Sequence, residues 1–461
     1  MEEILGRIHG LVWGIPTLLL IILVSILLGV KTGFCQVTLF SAALRHFCAS
    51  IRDEKGQTRS SGYSALCTAL AATVGTGNIA GVAGAICLGG PGAVFWMWIC
   101  GLLGMGIKYA EATLAVFYRR KGDDGLWYGG PMYMIRDGLG KKWSPLASIY
   151  CIFGLVASFG IGNATQINAL MSSMGSAFGT IGLPLHRAAK VIVAIFLAAT
   201  VYVMLRGGAK WIGAAAQQLV PAASIVYTVM CIWVIGANFT ALDDAFKAII
   251  CGAFHTRAVT GGMVGSVFTA LRIGLSRGIF TNEAGMGTAS IAHAGADVDH
   301  PVEQGLMGIV EVFLDTIVIC TLTALTILTS GVSIPFGYDP GAQLTGAAFS
   351  SVLGNFGIIL MFATMCCFAF ATILGWGLYG IRCAQFLFGN KATNVFPLFQ
   401  SIVVLFAVFA KTSTLWIACD ILNGLMAIPN LTALLLLIDP LLRLTKEYKQ
   451  TKRNKRIHRI N

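Results

Sequence analysis

The sequence predicts an all-α integral membrane protein with about 11 transmembrane helices, two of which are broken near their middle. Three observations predict this: the composition, the spacing of apolar segments, and the recurrence of an interrupted helix five spans further on. Of the 461 residues, 56% are hydrophobic and only 11% are charged, and the mean hydropathy is +0.78. Because a soluble domain carries about 25% charged residues, most of this chain must face lipid or other helices.

Segments of about 20 apolar residues are long enough to cross a bilayer. Eleven such segments occur, at 11–31, 62–88, 92–118, 145–175, 187–206, 210–237, 262–292, 303–329, 350–381, 394–410 and 412–440. The first follows an acidic N-terminus without an Ala-x-Ala-like cleavage site, which favours a retained helix over a signal peptide. The 13 cysteines lie scattered in apolar segments without a Cys-x-x-Cys pair, so they indicate neither a metal site nor a disulfide framework.

The distribution of basic residues predicts the orientation of the chain. Its net charge is +12, and the basic residues concentrate in the 32–61 and 119–144 connections and after Arg443. The positive-inside rule then places the C-terminus in the cytoplasm and, with 11 spans, the N-terminus outside. We interpret these charges as a solvated cytoplasmic rim rather than as a lipid-specific or nucleic-acid-binding surface.

The two interrupted spans suggest an internal repeat. In the second span, the stretch Thr73–Asn78 places two glycines and an asparagine, all poor helix formers, between apolar halves. The seventh span is interrupted at 278–285, and the pattern Asn-x-Ala-Gly occurs at both Asn78 and Asn282. Since the two patterns lie five spans apart, the second copy must be inverted, an arrangement typical of secondary transporters.

A helix broken in mid-membrane exposes carbonyl groups on one side and N–H groups on the other. Unwound backbone is tolerated at that depth only where it faces protein or a wet cavity. Such ends can hold a cation beside an anionic group. The predicted units are an N-terminal helix with its cytoplasmic connection, two five-helix repeats and a basic tail, at 1–61, 62–237, 262–440 and 441–461.

Three sequence elements carry a resemblance to a known family. The stretches Gly75–Gly81, Thr281–Gly287 and Gly375–Gly377 resemble the alanine or glycine:cation symporter family of prokaryotes, over essentially the whole chain. The resemblance implies the five-plus-five inverted-repeat fold of sodium-coupled amino acid transporters, with one extra N-terminal helix. It further implies sodium-coupled uptake of small neutral amino acids such as alanine and glycine across a prokaryotic plasma membrane. Sodium is then the coupling ion, and neither a cofactor, a nucleic-acid partner nor an enzymatic activity is expected.

The resemblance also implies a set of site residues, helped by a likeness of Val74–Asn78 to the first-helix motif of neurotransmitter:sodium symporters. Ala71 and Val74 would present carbonyls to one sodium ion, together with Thr372. A second sodium ion would lie at Thr73 and Asn78. The implied substrate-binding residues are Thr76, Gly77, Asn78, Phe159, Asn163, Gln166, Thr281, Thr372 and Trp376.

Local interpretations compete with these roles. A Thr in an apolar helix usually bonds its own i−4 carbonyl, and a membrane Trp is more often a packing residue or an interface anchor. Thr372 and Trp376 share a helical face at i and i+4, and Gly375 and Gly377 leave room for a ligand against the indole. Asn163 and Gln166 also share a face, but such amides often serve helix–helix hydrogen bonding.

Ionisable residues inside membrane segments are functional candidates. Glu283 could bind the cation or the substrate ammonium, take up a proton, or favour the local helix dipole. Asp315 could complete a cation site or pair with Arg272 or Arg277. Both are candidate coupling carboxylates, so proton coupling remains an alternative to sodium coupling.

Other charged residues favour structural roles. Glu311 is predicted to form a structural pair, and Lys108 and Glu111, at i and i+3, a local ion pair. The histidines show no ligand spacing. An ion channel would lack two broken helices that meet at one site. The metalloprotease motif His-Glu-x-x-His of an intramembrane enzyme is absent from the sequence.

Overall fold

The computed structural model describes residues 2–51, 61–180, 182–183, 186–254, 267–409 and 412–457. The helices before and within the first interrupted span are α1 Glu2–Val12, α2 Ile15–Thr32, α3 Cys35–Thr38, α4 Phe40–Ile51, α5 Ser61–Thr73 and α6 Val82–Gly89. The next helices are α7 Gly92–Phe117, α8 Pro131–Tyr133, α9 Ser144–Phe159, α10 Thr165–Thr180, α11 Arg187–Arg206, α12 Gly208–Ala237 and α13 Leu242–Phe254.

The remaining helices begin with the second interrupted span. They are α14 Val267–Asn282, α15 Thr288–His293, α16 Pro301–Val312, α17 Thr321–Thr329, α18 Ala342–Phe388, α19 Ala392–Ala407, α20 Thr412–Leu436 and α21 Ile438–Ile457. A short antiparallel hairpin, β1 Arg120–Lys121 and β2 Trp127–Tyr128, follows α7. The chain is therefore almost wholly helical, as predicted.

Several helices have the length and composition of membrane spans. The described residues contain 7 such helices, or up to 9 if each of two bent pairs counts as one span. Two further predicted spans coincide with α19, which has 16 residues, and with the pair α14–α15, whose two halves are each short. The predicted span 262–292 begins outside the described residues, and the count of 11 stays a prediction.

Both predicted interruptions are present. The halves of the first interrupted span meet at an angle of 52°, and a π-helical turn at Gly77–Gly81 joins the break to α6. In the second, five residues separate α14 from α15, and φ is +53° at Glu283, +95° at Gly285 and +75° at Gly287. These positive φ values forbid a continuous helix, and a non-glycine residue such as Glu283 adopts them rarely.

Small residues bring other helices close to the first break. Helix α18 packs against α5, α9, α10 and α12. A Cβ atom at Gly162 would lie 2.1 Å from Cβ of Trp376, and one at Gly375 would lie 3.0 Å from the backbone nitrogen of Ala72. Glycine is required at both positions, because any side chain would force α18 away from its neighbours.

The C-terminal segment, predicted as a basic tail, forms a helix in the structure. Helix α21 is bent by 61° from α20, and Leu441, Leu444 and Tyr448 pack into the core formed with α2, α7 and α16. Residues 441–457 of the predicted basic tail therefore form a helix docked on the body of the protein, while 458–461 lie outside the described residues.

Candidate functional site

The two breaks lie against each other. A Cβ atom at Gly77 would lie 3.3 Å from the methyl carbon of Thr281 and 3.5 Å from the ring of Phe280. The hydroxyl of Thr281 donates to the carbonyl of Gly278 (2.8 Å), so its methyl group faces the first break. Gly77 and Thr281, predicted as substrate-binding residues, are thus neighbours. Phe280 was not predicted, since nothing in its local sequence separates it from other apolar residues.

The first break frees backbone oxygen atoms beside an unpaired hydroxyl. In a continuous helix the N–H of Gly75 would bond the carbonyl of Ala71, but it donates instead to Oδ1 of Asn78 (2.9 Å). Oγ1 of Thr372 is buried without a hydrogen-bond partner in the described chain, and a Cβ atom at Gly75 would lie 2.8 Å from it. Because buried polar groups are nearly always paired, this hydroxyl indicates a missing partner.

A chain of polar side chains joins the two breaks through Asp315. Nδ2 of Asn78 donates to Oδ1 of Asp315 (2.7 Å), and Oγ1 of Thr316 donates to Oδ2 (2.8 Å). Nδ2 of Asn282 then donates to Oγ1 of Thr316 (3.2 Å). Of the two asparagines of the Asn-x-Ala-Gly pattern, Asn78 therefore contacts the carboxylate directly and Asn282 is linked to it through Thr316.

Asp315 lacks the ion pair that was one of its predicted roles. Arg277 pairs with Asp339 (3.1 Å) instead, and no basic side chain of the described residues lies within ion-pair distance of Asp315. Its hydrogen-bond partners are neutral donors. A buried carboxylate without a cationic partner is costly, which leaves a bound cation or a proton as its compensation.

Glu283 is held by donors from two helices. Nε1 of Trp376 donates to Oε1 (3.0 Å), and Oγ1 of Thr288 donates to Oε2 (2.5 Å). Both carboxylate oxygens are therefore occupied, and the indole of Trp376 is fixed between Glu283 and Gly162. This geometry fixes the orientation of the ring at the second break.

Asn163 and Gln166, whose amides were predicted to share a helical face, contact different parts of the protein. Gln166 lies at the first break, where its Oε1 accepts from the hydroxyl of Thr76 (3.1 Å). Asn163 instead donates to the carbonyl of Gln400 in α19 (2.7 Å). The ring of Phe159 also stacks toward α19, with its centroid 5.2 Å from that of Phe396. The structure therefore brings Gln166 to the break, and directs Asn163 and Phe159 to α19.

The predicted second-sodium groups are engaged within the protein. Oδ1 of Asn78 accepts from Gly75, and Oγ1 of Thr73 donates to the carbonyl of Ala69 (3.2 Å). The hydroxyl of Thr73 thus follows the usual i−4 pattern of a helical threonine. The hydroxyl oxygen and the carbonyl of Thr73 both keep lone pairs that can coordinate a cation.

The predicted local ion pair between Lys108 and Glu111 is wrong. Nζ of Lys108 pairs with Oε1 of Glu311 (3.0 Å), whose Oε2 contacts Nε2 of His293 (2.8 Å). All of these groups are buried. The structural role predicted for Glu311 is present, and its partners come from α7 and α15 rather than from its own helix.

Glu111 instead holds the unwound segment of the second break. Its Oε1 accepts from the backbone N–H groups of Gly285 and Gly287 (both 3.0 Å) and from Nδ2 of Asn430 (2.6 Å). Asn430 also donates to the carbonyl of Gly285 (2.8 Å). Asn430 was not predicted because it lies 319 positions from Glu111 and no local pattern links the two residues.

Comparisons with known proteins agree with this architecture. The model of the sodium:alanine symporter family matches residues 1–461. The chain is 38% identical to the sodium/alanine symporter AgcS of Methanococcus maripaludis, over 98% of each chain. It is 35% identical to GlnT of Bacillus subtilis, a probable sodium/glutamine symporter, over 98% of this chain and 92% of that one.

One solved structure extends the comparison to three dimensions. MhsT in complex with L-phenylalanine has a TM-score of 0.59 at 13% identity, over 81% of this chain and 88% of that chain. At that identity the likeness shows the fold alone, which is the predicted inverted-repeat architecture with two discontinuous helices.

Proposed function

Because this chain belongs to the sodium:alanine symporter family, we propose that it carries small neutral amino acids, alanine and glycine first, into the cell together with sodium. The protein is a multi-pass membrane transporter and not an enzyme. Substrate and sodium bind at the two breaks, and alternating access follows when one group of helices rocks against the other. The proposed orientation has the N-terminus outside and the C-terminus in the cytoplasm of a prokaryotic cell.

The observation that carries the proposal is the unpaired hydroxyl of Thr372 at the first break. Sodium is a hard cation that prefers oxygen ligands, and here the hydroxyl faces Gly75 beside the freed carbonyl of Ala71. We assign the first sodium to Ala71, Val74 and Thr372. We assign a second sodium ion to the carbonyl of Thr73 and the side chain of Asn78, which lies next to Asp315.

The substrate is proposed to lie between the same two breaks. Its carboxylate would accept from the N–H groups of Thr76 and Gly77, where the helix restarts with its positive dipole end. Gln166, which contacts the hydroxyl of Thr76, would fix that end of the site. Phe280 and Trp376 would limit the side chain to a small one, since Phe280 lies against Gly77 and the indole is fixed by Glu283.

Sodium dependence is tested with purified protein in proteoliposomes. We expect radiolabelled alanine to accumulate under an inward sodium gradient, and not when equimolar potassium replaces sodium at the same pH. A sodium ionophore should abolish the accumulation. Competition by unlabelled glycine but not by glutamine would support the small substrate, whereas stronger competition by glutamine would contradict it.

Proton coupling is the second candidate, favoured by the buried Asp315 without a cationic partner among the described residues. Alanine uptake that is indifferent to sodium but driven by a pH gradient would favour it. That result would move the coupling group to Asp315 or Glu283.

Removal of the Thr372 hydroxyl should weaken sodium binding selectively. We expect Thr372→Val, which keeps the shape of the side chain, to raise the sodium concentration for half-maximal uptake by about 10–100-fold. A lost bond to a charged group costs about 1.5–3 kcal/mol, and 1.4 kcal/mol is a factor of about ten. Thr372→Ser keeps the hydroxyl and should remain within about 3-fold of the wild type. An unchanged sodium requirement in Thr372→Val would remove Thr372 from the ion site.

A further inference from the structure

A cleft lies between the segment 39–49 and α21, and neither break contributes to its lining. It encloses about 460 Å³. Its apolar wall is formed by Leu39, Ala42 and Ala49, and its polar wall includes Arg45, Lys449 and Lys452. The cleft therefore combines an apolar side with three cationic side chains.

The position of the cleft matches the end of a membrane span. Nζ of Lys449 donates to the carbonyl of Thr32, the last residue of α2 (3.4 Å). The segment Ile4–Thr32 is the most apolar candidate span of the described residues, with a hydropathy of 2.7. The cleft thus begins where the apolar span ends, which is the depth of the lipid headgroups.

The three basic side chains of the cleft have no carboxylate partner among the described residues. Arg45, Lys449 and Lys452 are exposed, and none lies within ion-pair distance of a carboxylate in the part of the chain that the structure describes. In contrast, Arg120 pairs with Asp137 and Arg277 pairs with Asp339. The cleft therefore places three unpaired positive charges beside an apolar wall, and these charges favour an anion.

His46 adds a hydrogen-bonding group rather than a fourth cation. Burial lowers the pKa of His46 by more than the nearby carboxylate of Glu303 raises it. The charge of Lys452 lowers this pKa further. The imidazole is therefore neutral near pH 7. Tyr448, whose ring lies 5.3 Å from that of His300, closes the cleft on the side of the protein core.

Charge alone predicts a solvated rim here, but the shape of the cleft adds an apolar wall, and we propose that it binds the phosphodiester headgroup of an acidic glycerophospholipid from the cytoplasmic leaflet. Arg45, Lys449 and Lys452 contact the phosphate oxygens, and the apolar wall receives the glycerol and the first acyl carbons. The acyl chains continue along the outer face of α2, where Leu23, Leu27 and Val30 are exposed at helical spacing. Anionic lipids and basic pockets at the cytoplasmic face attract each other in this way.

The test measures lipid binding to the full-length protein in detergent by native mass spectrometry. The probes are palmitoyl-oleoyl phosphatidylglycerol and palmitoyl-oleoyl phosphatidylcholine, with inorganic phosphate and glycerol phosphate as soluble competitors. We expect phosphatidylglycerol to bind saturably and phosphatidylcholine to bind more weakly at the same concentration. The triple variant Arg45→Gln, Lys449→Gln, Lys452→Gln should bind phosphatidylglycerol about 100-fold more weakly, since each basic residue contributes a factor of about five.

The matched control removes the same charge elsewhere on the predicted cytoplasmic side. Lys141→Gln, Lys142→Gln, Lys446→Gln neutralises three exposed lysines and should stay within about 3-fold of the wild type. Equal weakening in both triple variants would overturn the proposal in favour of diffuse surface charge. Displacement of the lipid by millimolar inorganic phosphate would overturn it in favour of a free-phosphate site. Alanine uptake by the cleft variant is a separate readout, so failure of this proposal leaves the transport proposal intact.

Discussion

Replacement of Asp315 by alanine is expected to abolish sodium-driven alanine uptake. The carboxylate accepts from Asn78 of the first break and from Thr316, which in turn accepts from Asn282 of the second. Alanine removes the acceptor of the Thr316 hydroxyl and the nearest acceptor of Asn78, whose amide keeps only the backbone carbonyl of Asp315 and the thiol of Cys320. An unpaired buried donor costs about 1–3 kcal/mol. We expect sodium-driven accumulation to be lost and the initial uptake rate to fall by at least about 10-fold, since 1.4 kcal/mol corresponds to a factor of about ten.

The variant Asp315→Asn separates the charge of Asp315 from its hydrogen bonds. Its amide oxygen can accept from Asn78, while its amide nitrogen can donate to the oxygen of Thr316. If the carboxylate compensates a bound cation, Asp315→Asn should also lose gradient-driven uptake, while its melting temperature stays near that of the wild type. Wild-type uptake by Asp315→Asn would instead make Asp315 a structural link between the breaks and exclude it as the coupling group.

Exchange of external for internal alanine, measured at equal sodium concentrations on both sides, distinguishes loss of coupling from loss of substrate binding. A variant that still exchanges alanine but no longer accumulates it has lost coupling rather than substrate binding. Asp315→Asn in that state would assign Asp315 to coupling. A variant that neither exchanges nor accumulates alanine has lost the site itself, and Asp315→Ala is expected to behave in this way.

The two breaks could be predicted because their causes are local. Glycine at 75 and 77 weakens the helix, and each asparagine of the repeated pattern bonds backbone within three residues of itself. Asn78 accepts from the N–H of Gly75, and Asn282 from that of Ala284. Residue types and spacing alone therefore predicted both breaks, although α14 continues to Asn282, inside the predicted interruption at 278–285.

Partners that lie far apart along the chain could not be predicted in the same way. The i, i+3 spacing of Lys108 and Glu111 favoured a local pair, but long-range partners compete for both groups. Glu311 lies 203 positions from Lys108, and Gly285 lies 174 positions from Glu111. Asn163 likewise bonds the carbonyl of Gln400, 237 positions away. A buried charge takes the partner that removes most of its desolvation cost, and only the fold decides which partner that is.

The basic C-terminal segment also contains apolar residues at helical spacing, which its high content of lysine and arginine made easy to overlook. Leu441, Leu444 and Tyr448 lie at i, i+3 and i+7, which is the spacing of one helical face. That face is buried in the core, whereas Lys446 and Lys449 are exposed. The density of lysine and arginine predicted the side of the membrane, but the apolar spacing determines that the segment docks as α21.

Replacement of Glu111 by alanine is the second change expected to eliminate transport, although Glu111 is not proposed to contact substrate or sodium. Its Oε1 is the shared acceptor for two backbone N–H groups of the second break and for Asn430. Positive φ at Gly285 and Gly287 prevents a helix from supplying other acceptors there. Alanine therefore leaves three buried donors unpaired, at about 1–3 kcal/mol each.

We expect Glu111→Ala to lose at least about 100-fold in alanine uptake and to melt at a lower temperature than the wild type. Glu111→Gln keeps one acceptor oxygen in the same place and should retain measurable uptake. Asn430→Ala removes both hydrogen bonds of Nδ2 but leaves the carboxylate of Glu111 in place, so its alanine uptake should fall between the uptake of these two variants. The same order in sodium-dependent alanine binding by the purified variants would show that Glu111 positions the second break. Binding by Glu111→Ala at wild-type affinity would contradict that role, because the site would then form without the segment that Glu111 holds.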